Sequence, residues 1–141
     1  RLLTRTITII LDGMDQAKFA WPRAGFLASH EYDGFQRPRL HITGILVHGV
    51  LAMLTISHAD VSKSSSTTVD ILAHIFTRLH KLGLNLRDYH IHVQMDNAAS
   101  TNKNNAVLMF LAAMVCSGLI GSCAAGFLRV GHTHDSQGIF V

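Results

Sequence analysis

Two β-rich apolar runs in this chain each close on an aspartate: Thr6-Ile-Thr-Ile-Ile-Leu-Asp12 and His90-Ile-His-Val-Gln-Met-Asp96. An acid at the carboxyl end of a buried strand loses hydration. It therefore needs a hydrogen bond, a counter-charge or a metal ion to stay there. Two such acids on strands that lie side by side would be the basic equipment for holding divalent cations. The fold must bring these strands together or leave two acids at separate, costly positions.

The chain has 141 residues, enough for one domain with a real core. Hydrophobic residues make up 48% and charged residues 15%, which excludes a disordered chain. Residues 1–141 read as a single domain, and a start at Arg1 with an end at Val141 reads as a fragment of a larger protein. The net charge of +3 is compatible with a nucleic-acid partner, although no dense Lys/Arg run argues for one. Cys116 and Cys123 are too few for a disulfide framework and form no CxxC, so a reducing, intracellular compartment is expected.

Ala106 to Leu128 carries no charge and is long enough to span a bilayer. Ser117-Gly118 and Gly121-Ser122 divide it, however, into pieces the length of a soluble helix and a strand. The divided reading is preferred, and no membrane association is expected.

Thr6–Leu11 reads as a central strand. Asp12-Gly13 breaks it, and Met14 to Pro38 reads as a long irregular excursion, a length that often carries function. Leu40–Val47 and Val50–Ser57 form a hairpin about His48-Gly49. Thr67 with Asp70 three residues on resembles a capping box, and Val69, Leu72, Ile75, Phe76, Leu79 and Leu82 recur at helical spacing up to Gly83. Tyr89–Met95 is a strand, Lys103–Cys116 a helix ended by Gly118, and Ser122–Val130 a last strand. This β-β-β-α-β-α-β order matches a ribonuclease-H-like α/β fold: a mixed five-stranded sheet with helices on its faces, its last helix truncated. In that fold the first and fourth strands are parallel neighbours, which would place Asp12 beside Asp96.

Hard divalent cations take oxygen ligands, and two-metal phosphoryl chemistry uses carboxylates shared between two such ions. Asp12 and Asp96 would supply two, and Asp135, after the last strand, a third. Each has a plainer reading. Asp12 before Gly13 can be a turn former. Asp96-Asn97 can be an Asx-turn capping the next helix. Asp135 can be an exposed loop acid. Asp15 reads as a solvated neighbour or an alternative ligand. His132 and His134 form a His-x-His pair, but no further Cys or His at matching spacing completes a zinc site. His90 and His92 alternate on a strand and read as a polar sheet face. Lys18, Arg23, Lys103 and Arg129 are cations that could meet phosphates or simply face solvent.

Several segments together resemble a transposase-derived, integrase-like domain family found in eukaryotic mobile elements and large gene families. They are residues 10–19 with Pro22-Arg23, Arg37-Pro-Arg-Leu40, Met95-Asp-Asn97 with Asn102-Lys-Asn104, and Phe127-Leu-Arg-Val-Gly-His-Thr-His134. The resemblance covers nearly the whole chain. That family is similar to DDE transposases with a ribonuclease-H-like core. It implies metal-dependent DNA strand cleavage and joining with Mg²⁺ or Mn²⁺ in a two-metal site, Asp12 and Asp96 being the first two acids; Asp135 is the candidate third by its place after the last strand. Lys18, Arg23, Asn97, Lys103, His132 and His134 are the candidate substrate-binding residues, with DNA as the expected partner and the nucleus as location; a homo-oligomer stays open. The chain departs from the family pattern after Gly-His-Thr-His, where Asp135-Ser-Gln-Gly-Ile-Phe140 carries one acid in place of several. The alternative is therefore the same fold without catalysis, retained to bind nucleic acid or protein.

Overall fold

Period-two alternation sets the register of the central strands. A computed structural model describes residues 5–13, 40–58, 60–61, 64–96 and 105–127. Its five strands are β1 (Arg5–Gly13), β2 (His41–Val47), β3 (Leu51–Ser57), β4 (Tyr89–Met95) and β5 (Ser122–Phe127). Its two helices are α1 (Ser65–Lys81) and α2 (Asn105–Cys116). The strands form one mixed sheet in the order β3-β2-β1-β4-β5. β1, β2 and β3 are an antiparallel meander, while β4 lies parallel to β1 and β5 parallel to β4.

Ile7, Ile9 and Leu11 of β1 share a face with Ile91, Val93 and Met95 of β4, and all six are buried. Against them pack Leu72, Ile75, Phe76 and Leu79 of α1 with Val107 and Leu111 of α2, in one hydrophobic cluster. Both described helices therefore lie on one face of the sheet. The reason is chirality. β3-α1-β4 and β4-α2-β5 are crossovers between parallel strands that travel in the same direction across the sheet, and right-handed crossovers then deposit both helices on the same side. The expected helices on the faces of the sheet lie, among the described residues, on one face. Phe76 and Phe110 join α1 to α2, their rings stacked at 6.3 Å and 13°.

The expected stops hold for a stereochemical reason. Gly83 and Gly118 have φ of 85° and 69°. After α1, Leu84 N–H donates to the Leu79 carbonyl and Gly83 N–H to that of His80. After α2, Leu119 and Gly118 donate to Met114 and Val115 in the same pattern. Both ends are Schellman motifs, which need the left-handed conformation that glycine adopts at least cost.

The start of α1 differs from the expectation. Its N-cap is Ser64, without a side-chain capping bond, so Thr67 and Asp70 lie inside the helix rather than at its cap. The uncharged run from Ala106 resolves into α2, a turn and β5, as its internal Ser-Gly punctuation implied. No described helix is long and apolar enough to cross a membrane.

Candidate active site

β1 and β4 run side by side from the Arg5–Tyr89 pair to the Leu11–Met95 pair. One position further along each chain stand Asp12 and Asp96. The parallel pairing stops at Leu11, but the antiparallel pairing with β2 continues, setting Asp12 opposite Gly44 and Gly13 opposite Thr43. Asp12 is thus a residue of the strand and not the turn former that Asp12-Gly13 allows. Asp96 lies immediately past β4. Both are half-buried.

Alternation places Asp12 with Thr8 and Ile10, on the face away from the helices. Its carboxyl is held above the ordinary value of 3.8, chiefly by burial and secondly by the charge of Asp96. Two like charges at one sheet edge, with hard oxygen donors, fit a divalent cation of the Mg²⁺ or Mn²⁺ type, which would offset both causes. Among the described residues no group of three His, Cys, Asp or Glu side chains could hold a metal ion. The candidate third acid Asp135 lies outside the described residues. So do Asp15, Lys18, Arg23, Asn97, Lys103, Arg129, His132 and His134.

The face that carries Asp12 is polar along β4. His90 and His92 alternate there as expected. His90 Nδ1 is 2.7 Å from Ser122 Oγ on β5, and the His92 ring lies over Gly126, whose missing Cβ would come 3.1 Å from Nε2. Small residues on β5 make room for the two imidazoles.

On the helix face, beside the same strand ends, is a pocket of about 300 Å³. Asp96 and Gly13 form part of its wall, with Thr43, Thr55, Asp70 and His74. Sequence reasoning missed it, although two signals were present. Thr67, Asp70, Ile71 and His74 fall at helical spacing, which puts polar groups on one stripe of α1. Thr55 and Ser57 follow Leu51 and Met53 on the same face of β3, polar where that face leaves the core.

A family model described as a domain of unknown function, DUF7869, matches residues 31–137. The chain belongs to the DUF7869 family. The DUF7869 match takes in β2 to β5, Asp96 and most of the pocket wall, while β1 with Asp12 precedes it. No curated protein and no solved structure matches the chain.

Proposed function

We propose that this domain is the ribonuclease-H-like catalytic core of a transposase-like protein that cleaves and joins DNA strands with Mg²⁺ or Mn²⁺. The observation that carries this reading is the adjacency of Asp12 and Asp96. An antiparallel meander followed by two parallel crossovers, in the order β3-β2-β1-β4-β5, brings both acids to the carboxyl ends of neighbouring strands. That is where open α/β sheets gather ligands. The resemblance of Asp96-Asn97, Asn102-Lys-Asn104 and Gly131-His-Thr-His134 to a transposase-derived, integrase-like family, itself similar to DDE transposases, supplies the reaction class.

Asp12 and Asp96 would hold the cations, with Asp135 as third ligand. Bound there, divalent ions supply Lewis-acid stabilisation of phosphoryl oxygens and a more acidic water or 3′-hydroxyl. The chain's own contribution is preorganisation. β1 is paired with β2 through Asp12 and with β4 up to the preceding residue, so its carboxylate needs little reorganisation when a ligand arrives. Burial and Asp96 keep Asp12 poorly compensated, which favours capture of a cation. Lys18, Arg23, Asn97, Lys103, His132 and His134 are the proposed contacts to DNA, and the nucleus is the corresponding location.

The test is nicking or strand transfer by the full-length protein with Mn²⁺, wild type against Asp96→Asn. Loss of activity by at least about a hundredfold in the variant is expected. No metal-dependent activity in the wild type, or equal activity in both, overturns the reading. A second reading rests on the single acid that follows Gly131-His-Thr-His134. It is a catalytically inactive module of the same fold that binds nucleic acid or protein. DNA binding without turnover under the same conditions would favour it.

A further inference from the structure

We propose that the pocket beside Asp96 receives one unstacked nucleobase bearing an exocyclic amino group, from a nucleotide adjoining the phosphate held at the Asp12–Asp96 edge. This rests on the proposed reading of that edge as a DNA-processing site, and it names the part of the substrate that the helix side of the sheet would take.

The volume of about 300 Å³ is at the small end of ligand pockets, which suits one base and not a stretch of polymer. Leu11, Val61 and Ile71 give the lining an apolar part, as a flat aromatic ring requires. The described wall carries no Lys or Arg, and its charged members are Asp70 and Asp96. Such a wall repels a phosphate, so the charged backbone is turned away from it and the uncharged base is turned in. The polar groups include several acceptors. Thr55 donates its hydroxyl hydrogen to the Thr43 carbonyl and so offers lone pairs, as do the two carboxylates. Acceptors match N–H donors, and a carboxylate pairs with an amino group such as cytosine N4. Adenine, cytosine and guanine carry such a group; thymine does not. His74, exposed on α1 at the rim, offers a ring for stacking.

Asp96 belongs to both walls. A base in the pocket and a phosphate at the carboxylate edge would therefore be parts of one or two neighbouring nucleotides. Extracting a base from a duplex breaks its stacking and its pairing. The pocket thus favours ends, mismatches or single strands over intact duplex.

The experiment is amide chemical-shift mapping on the full chain without metal, titrated with cytidine, adenosine and thymidine. Shifts at Thr43, Thr55 and His74 are expected with cytidine and adenosine, with thymidine weaker by roughly tenfold because its one base donor is the ring N3–H and it has no exocyclic amino group. Ile71→Trp fills the pocket and should abolish the shifts. Thr55→Val keeps shape while removing an acceptor, and should weaken binding by roughly threefold to tenfold. The Val variant keeps the test informative if the Trp variant fails to fold. Equal binding of all three nucleosides, shifts that persist in Ile71→Trp, or no shifts at all overturn the proposal. Nucleoside binding needs no metal and no turnover. Failure of Mn²⁺-dependent cleavage with nucleoside binding intact would therefore count against the enzyme alone.

Discussion

Asp12 and Asp96 stand one residue beyond the Leu11–Met95 pair, at the shared end of two parallel strands. Neither strand alone explains why an acid is tolerated there. Together they form an edge where a second negative charge adds to the cost of the first. Such an arrangement costs stability in the folded protein, and a cation bound at the proposed site would restore it.

The pH dependence of stability should show this. The folded-state pKa of Asp12 lies above the ordinary 3.8. Between those two values the folded chain holds more protons than the unfolded one, so stability falls as pH rises through that window. Asp12→Asn removes the effect. In metal-free buffer near pH 7 the variant should melt higher, by roughly 1–3 °C for a half-buried, solvent-screened group. The gain should vanish below pH 3.8. Thermal unfolding from pH 3 to 8 checks it. Adding Mn²⁺ should then raise the melting temperature of the wild type more than that of the variant.

Gly83 and Gly118 should resist substitution for conformational reasons alone. A Cβ at either position meets nothing within 4 Å, yet φ is 85° and 69°. Alanine at either site should cost about 1–2 kcal/mol in urea unfolding. Gly13 also has open space around a Cβ but no positive φ, so Gly13→Ala is the matched control and should be near neutral.

Gly126→Ala tests the imidazole face. The new Cβ would sit 3.1 Å from His92 Nε2, so the ring must give by a few tenths of an ångström. A loss of less than about 1 kcal/mol is expected, with a changed His92 ring resonance. The His90 ring, tied to Ser122 four residues back along β5, should keep its resonance.

The two cysteines should separate by reactivity. Cys116 is exposed, whereas burial pushes the Cys123 thiol up to about 11. At pH 8 roughly one Cys123 in a thousand is thiolate. Iodoacetamide with peptide mapping should label Cys116 first, by about a hundredfold in rate. Equal labelling would mean that β5 opens readily from the sheet.

Local stereochemistry made much of the fold legible. Ile7, Ile9 and Leu11 alternate, Leu72, Ile75, Phe76 and Leu79 repeat at helical spacing, and Gly83 and Gly118 end helices wherever they occur in such a context. β4 has the expected limits, and β2 and β3 differ from theirs by one residue at the start. The N-terminus of α1 was less legible. Thr67 and Asp70 mimic a capping box, but Ser64 supplies an earlier extended residue from which the helix can begin.

The sequence by itself determined the secondary elements, the two acids that close apolar runs and the division of the uncharged segment from Ala106. These follow from side-chain period, glycine and local charge, all properties of neighbours along the chain. Only the tertiary structure decided that β2 extends β1 through Asp12, that both described helices share a face, and that β2, β3 and α1 enclose a pocket against Asp96. Those depend on strand register and crossover handedness, which join residues far apart in the chain.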